Sequence, residues 1–174
     1  MKNVLILFLL PVCFAACSGG GSTAPATAKD SSSVTMPYTA SLSSNFVPAS
    51  DSVVLVALNS YKAWETGDMA ALKATFADST GFVFSNGYTF HNTADSFMRF
   101  ATKFRDSLSS VKIDMLAWIG SHSVDKNQDW VNAWYKETDT YKTGKVDSSY
   151  FEDANLIQNG KIAWVYSYMQ KIKP

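Results

Sequence analysis

The fold is decided by the C-terminal stretch Ser148-Ser-Tyr-Phe-Glu-Asp-Ala-Asn-Leu-Ile-Gln158, then Asn159-Gly160, then Lys161-Ile-Ala-Trp-Val-Tyr-Ser-Tyr-Met-Gln-Lys-Ile172. Both long runs are rich in β-branched and aromatic residues, and Asn-Gly between them is the strongest two-residue hairpin signal. Two similar runs lie upstream, Val111–Val124 and Trp130–Tyr141. The breaks between runs are Asp125-Lys-Asn-Gln-Asp129 and Thr143-Gly144-Lys145. Four consecutive antiparallel strands are therefore expected. Before Ser110 the period changes. Val54, Ala57, Leu58, Tyr61 and Trp64 fall at helical spacing, with Ser50 or Asp51 to open the helix and Gly67 to close it. Asp68 caps a short second helix carrying Met69, Leu72 and Phe76. Thr80–Ser85, Asn86-Gly87 and Tyr88-Thr-Phe90 read as a hairpin. Asn92 or Thr93 starts a third helix, with Phe97, Phe100, Ala101, Phe104 and Leu108 along one face. Helices early and a strand meander late predict an α+β fold, a curved antiparallel sheet wrapped around the N-terminal helices. Without strand–helix–strand alternation, a doubly wound parallel sheet is disfavoured.

The N-terminus carries a different message. Met1-Lys2-Asn3 precedes an apolar run of about a dozen residues ending in Phe14-Ala15-Ala16-Cys17. A basic start, a short apolar stretch and small residues before a cut site are the parts of a secretory signal, and the stretch is shorter than the roughly 20 residues that span a bilayer. Phe14-Ala-Ala-Cys17 resembles the bacterial lipobox, in which the Cys becomes the lipidated first residue of the mature chain. Phe stands here where Leu is usual. Once Cys13 leaves with the signal, Cys17 is the only cysteine, and acylation accounts for an unpaired thiol in an exported protein. The expected organisation is a lipoprotein signal peptide over 1–16, a lipidated terminus and flexible Gly/Ser/Thr-rich linker over 17–49, and one domain over 50–174. Met36-Pro37-Tyr38 and Phe46-Val47-Pro48 are candidates to dock locally onto that domain. The expected location is the cell envelope, anchored to a membrane through lipidated Cys17. By resemblance to enterobacterial lipoproteins, Ser18 favours the outer over the inner membrane.

Fifteen basic and fifteen acidic residues leave no formal net charge, so nothing supplies the cationic surface that phosphate backbones need, and no nucleic-acid partner is expected. Two His and two Cys furnish a zinc site poorly, and neither a metal nor another cofactor is expected. Aromatic residues are 14% of the chain, enough for a core and for the walls of a pocket.

The folded part resembles the nuclear transport factor 2-like superfamily, specifically its SnoaL-like bacterial members. The resemblance rests on Trp64-Glu-Thr-Gly-Asp68 followed by Leu72 and Phe76-Ala-Asp78, on Asn132-Ala-Trp134 in a strand, and on Asn159-Gly-Lys-Ile162 before the last strand. It implies a cone-shaped sheet wrapped on a long helix, with a pocket at the open end. Members include a steroid isomerase, polyketide cyclases, an epoxide hydrolase, dehydratases and many non-enzymatic binding domains, so the fold leaves activity open. Several relatives dimerise through the sheet, which makes a homodimer one expectation. None of the known active sites is reproduced. The isomerase's base would fall in Phe82-Val-Phe-Ser-Asn86, which has no carboxylate. The epoxide hydrolase's Arg would fall on a strand, but Arg99 and Arg105 lie on the third helix.

Against that background His91 is the single candidate for catalysis, as a general acid or base in a loop bordering the cavity. An ordinary surface His at a helix start fits the same position. His122, beside a polar turn, reads as solvated. Tyr61, Trp64, Phe84, Trp118, Trp134 and Tyr150 are the expected pocket residues. Strand alternation groups Trp134 with Trp130 and Asn132, and Trp118 with Leu116 and Asp114. Glu137 and Asp139 share a face with Tyr135 and Tyr141, and Glu152 shares one with Tyr150. Such carboxylates ordinarily face water; one buried among rings would hold its proton unusually tightly. The leading expectation is a pocket for a small apolar or aromatic molecule. The alternatives are a SnoaL-like isomerase, hydrolase or dehydratase using His91 with a strand carboxylate, and a non-catalytic interaction module presenting Trp164, Tyr166 and Tyr168.

Overall fold

The computed structural model describes residues 36–172. The signal peptide, Cys17 and the start of the expected linker lie outside the described residues. The elements run β1 (Phe46–Pro48), α1 (Asp51–Thr66), α2 (Met69–Thr75), β2 (Phe76–Phe84), β3 (Thr89–Thr93), α3 (Ala94–Arg105), β4 (Leu108–Ser123), β5 (Gln128–Tyr141), β6 (Val146–Gln158) and β7 (Lys161–Lys171). They form one seven-stranded sheet in the order β1-β4-β5-β6-β7-β2-β3. All pairs are antiparallel except β2 with β7, which run parallel. The sheet is thus mixed, curved and not closed into a barrel. No helix among the described residues is long and apolar enough to cross a membrane.

Local chemistry sets the element ends. Gly67 leaves α1 with φ of 75°, and its N–H and that of Asp68 donate to the Trp64 and Ala63 carbonyls. Asp68 caps α2, its Oδ1 accepting from Ala71 N at 2.9 Å. Thr93 opens α3, its Oγ1 accepting from Ser96 N at 3.3 Å. Asn159 and Gly160 both have positive φ, 52° and 70°, so β6 turns into β7 through a two-residue loop of the kind the sequence called for. Phe76 starts β2 rather than finishing α2; its extended backbone caps the helix. Phe46, Val47 and Pro48 add a short edge strand to β4, opposite Ser123, His122 and Ser121, which extends pairing into the stretch expected to be linker.

Register shifts between Met115 and Ala117, Leu156 and Ile157, and Phe76 and Gly81 put bulges in three strands. Bulges raise local twist and bend the ladder, and here they coil the sheet around α1 and α3. The core between the layers includes Ala57, Val131 and Ile162, each with no exposed surface, with Phe76, Phe82 and Met98 around them. Phe97 of α3 stacks on Phe82 at 4.3 Å and meets Phe76 at 5.0 Å. Arg105, at the end of α3, donates through Nε to the Trp64 carbonyl at 3.2 Å and through Nη2 to that of Glu65 at 3.3 Å. That clasp fixes the C-terminal end of α1 against α3 and leaves a gap between the helices and the sheet.

Candidate functional site

The gap is a cavity of about 320 Å³. α1 contributes Ser60, Tyr61 and Trp64; α3 contributes Phe97, Phe100, Ala101 and Phe104. The sheet supplies Phe82 and Phe84 from β2, Tyr135 and Glu137 from β5, Asp153 and Asn155 from β6, and Val165 and Ser167 from β7. Alternation explains the set. Along β5 the residues Val131, Ala133, Tyr135 and Glu137 point one way, and along β6 Phe151, Asp153 and Asn155 do the same. Buried Val131 and Ala133 identify that side as the inner one.

Asp153 is the centre of the polar part. It is 5% exposed and makes no ion pair with any of the described residues. Its Oδ2 accepts the hydroxyls of Tyr135 at 2.9 Å and Tyr61 at 3.2 Å. Asn155 orients the second phenol, its Nδ2 donating to the Tyr61 oxygen at 2.9 Å and to the Val131 carbonyl at 3.0 Å. Because that bond occupies the Tyr61 oxygen, the Tyr61 proton is turned to Asp153. Oδ1 has no well-formed hydrogen bond among the described residues; the Ser167 hydroxyl, directly across on β7, is the one donor near enough to bear on the carboxyl. Burial pushes the Asp153 carboxyl up from the usual carboxylate range, and the hydroxyls of Ser167, Tyr135 and Tyr61 offset only part of this. Burial, then the neighbouring Asp153 charge, raises both Tyr61 and Tyr135 well above the ordinary phenol range.

Glu137 lines both the cavity and an adjoining hollow bordered by Asp139, Asp147 and Lys171. Burial first, and then the Asp139 and Asp153 charges, push Glu137 up to about 8, against the one favourable contact, from Trp64. Asp139 is raised as well, chiefly by burial, while its bond with Glu137 and the Arg105 charge pull it down. The two carboxyls are coupled, and each holds its proton more tightly than a free carboxyl would. Asp139 Oδ1 is the second buried side-chain oxygen without a partner among the described residues. No group of three His, Cys, Asp or Glu side chains among the described residues is arranged to hold a metal ion.

Of the residues singled out from sequence, Tyr61, Trp64 and Phe84 line the cavity. Trp134 and Tyr150 do not. They share the outer sheet face with Trp130 and Lys136, because it is Tyr135, one residue on, that points inward. Trp118 stands across from Ala133, past the bulge at Met115, and is 53% exposed at the edge. His91 needs the largest correction. β3 runs on through Thr93, so the alternation that turns Phe90 toward Phe97 turns His91 out. There its Nε2 lies 3.2 Å from Ser79 Oγ, and its ring stacks on Trp164 at 4.9 Å. Gly81, opposite His91, makes the room: a Cβ there would stand 2.4 Å from the Trp164 ring. His91 therefore has no access to the cavity. His122 pairs with Asp129, Nδ1 to Oδ1 at 2.8 Å. Trp164, Tyr166 and Tyr168 lie on the outer face, beside a separate hollow of about 360 Å³ edged by Leu42, Phe46, Trp130 and Ala154.

No family model matches the chain, and no curated protein matches it. Solved structures do. An LEH-like epoxide hydrolase from M. tuberculosis superposes with a TM-score of 0.58 at 8% identity, covering 71% of this chain and 86% of that one. A candidate dehydratase of the NTF2-like family from Streptomyces avermitilis gives 0.58 at 12% identity, over 68% and 93%. An NTF2-like protein of unknown function from Exiguobacterium sp. 255-15 gives 0.55 at 18% identity, over 66% and 98%. The domain has the nuclear transport factor 2-like fold. At these identities the likeness concerns the fold alone.

Proposed function

We propose that the domain binds one small, largely apolar, ring-bearing molecule in the cavity between α1, α3 and the inner sheet face. The observation that carries this is the combination of an aromatic-walled hollow of about 320 Å³ with Asp153, a buried carboxyl whose Oδ1 has no well-formed hydrogen bond among the described residues. Native interiors rarely strand such an oxygen, and one that borders a hollow is open to a ligand or a water molecule. The volume is that of about ten water molecules, enough for a bicyclic compound. Ala101, small and buried on α3, is the place to test it. Ala101→Phe projects a ring into the hollow and is expected to weaken binding of naphthylmethanol at least tenfold in calorimetry, with the fold retained by circular dichroism. Unchanged binding would mean that the ligand sits elsewhere.

A second reading, a SnoaL-like enzyme performing proton transfer, is favoured by one observation. Two proton-holding groups, Asp153 and the Glu137–Asp139 pair, face the same ligand space. Since Oδ2 of Asp153 already accepts two hydroxyls, a proton on that carboxyl sits on Oδ1 and is available to a ligand oxygen. Glu137, near 8, exchanges its proton close to neutral pH. The candidate cyclase from Xanthomonas campestris, TM-score 0.54 at 18% identity, and the epoxide hydrolase and dehydratase neighbours make that chemistry plausible for the fold. Recovery of bound ligand chemically unchanged after prolonged incubation would retire it.

The same proposal includes the anchor. A chain processed at Cys17 and acylated there would hold the domain at an envelope membrane, where apolar small molecules concentrate. Cys17→Ser is expected to leave the precursor uncleaved and unlabelled by radioactive palmitate in its host; normal labelling would disprove the anchor.

A further inference from the structure

Charge is unevenly distributed in the cavity. Among its lining residues are two carboxyls, Glu137 and Asp153, and no Lys, Arg or His. Asp153 is more than nine-tenths buried, and its Oδ1 has no well-formed hydrogen bond among the described residues. A second stranded oxygen, Asp139 Oδ1, follows just beyond Glu137. Rings flank the carboxyls: Tyr61 against Tyr135 at 5.0 Å, and Trp64 parallel to Phe104 at 6.1 Å. We propose that the cavity takes an organic ammonium, a protonated primary amine on a ring-bearing apolar body, with an N–H donated to Asp153 Oδ1 and its charge favoured by Glu137 in the same hollow.

This rests on the small-molecule reading above and gives that ligand its polar group. An oxygen acceptor would answer Asp153 alone and leave Glu137 and Asp139 as they are. A cation in the hollow faces two carboxyls, Asp153 and Glu137, with no competing positive side chain among the lining residues. The walls beyond, from Phe76 to Phe100, are apolar and suit the body of the molecule.

The amine enters charged, and the proton it displaces from the carboxyls goes to solvent, so binding is linked to pH. The groups that face Glu137 fix the sign. Asp139 on its own strand and Asp153 on β6 raise its affinity for protons, and Trp64 on α1 opposes them. Arg105 on α3 bears on Asp139, and Asp147 and Lys171 border the adjoining hollow. Below the carboxyls' titration range the amine must expel a proton, and above it need not. Amine affinity therefore rises with pH.

The test is calorimetry of the protein with naphthylmethylamine and its neutral counterpart naphthylmethanol, from pH 6 to pH 8, in phosphate and in Tris. The expected result is amine binding at least tenfold tighter at pH 7.5. About one proton should be released per amine, and its affinity should climb by roughly tenfold per pH unit. Asp153→Asn and Glu137→Gln should each remove most of the preference; Glu137, less deeply buried than Asp153, is the safer of the two for folding. Equal binding of alcohol and amine, or amine binding without proton release, overturns the inference while the pocket reading stands. Affinity that falls with pH does so too, and assigns the carboxyls as donors to a neutral ligand. If neither compound binds, both readings fall together.

Discussion

Raising the pH from 5 to 8 is expected to destabilise the protein, and Glu137→Gln is expected to reduce that loss. The folded chain holds the Glu137 proton up to about pH 8, whereas the unfolded chain releases it near the ordinary value of 4.5. Between those limits the native state binds more protons than the unfolded state, so each step up in pH favours unfolding. Burial of Asp153 acts in the same direction. The difference amounts to a few kcal/mol, reduced by the coupling with Asp139. Carboxylates shifted the other way do not mask it. Glu65, held down by the Ile113 N–H and then Lys62, contributes stability that is present above its ordinary value and lost only in more acidic solution. Urea midpoints at pH 5, 6.5 and 8 decide the matter. The wild-type midpoint should fall across the series, and that of Glu137→Gln should fall by less, leaving it above wild type at pH 8. Parallel slopes for the two proteins would place the titrating group elsewhere.

The second large effect concerns the seam between β2 and β7. Ile162 is fully buried, lies opposite Phe76 where the parallel pairing begins, and belongs to the core cluster with Val165 and Val131. Ile162→Ala deletes three buried carbons at a site walled by two strands, which leaves little freedom to collapse. The expected cost is about 3–4 kcal/mol. Tyr168→Ala, on the outer face at 60% exposure, should cost well under half as much despite losing a larger side chain. Denaturant titration of both variants reads the contrast. A loss below 1 kcal/mol at Ile162 would show that the seam is not a packed junction.

The element plan was legible because each piece had its own signal. The spacing from Val54 to Trp64, the Asp68 and Thr93 caps, and Asn159-Gly160 are local effects that tertiary context leaves alone. The long strands were legible for the same reason. The site was less so, because it depends on which face of each strand turns inward. Period-2 alternation groups Tyr135 with Glu137 and Trp134 with Trp130, but it does not say which group meets the helices. Two large indoles drew the assignment outward. The better signal was the small, wholly apolar pair Val131 and Ala133 opposed to a face containing Lys136, since a buried face tolerates no free cation. His91 is turned away from the cavity by two further residues of strand: Asn92 and Thr93 look like loop and cap, yet they still pair with β2. Asp153 could not be singled out, because its partners are a helix residue 92 positions away and a tyrosine on the next strand.

The lone parallel pairing has a bearing on when this molecule becomes complete. β2 meets its second neighbour only through a strand that begins more than seventy residues later, at Lys161. Contacts so distant in sequence close last, after the intervening loop entropy has been overcome. Until Val165 and Ser167 arrive, the hollow lacks one wall, Asp153 lacks its neighbour across the ladder, and the β2–β3 hairpin is a free edge. A chain emerging from a ribosome or a translocation pore would stay an open half-shell until β7 was through, and only then would the hollow have its last wall.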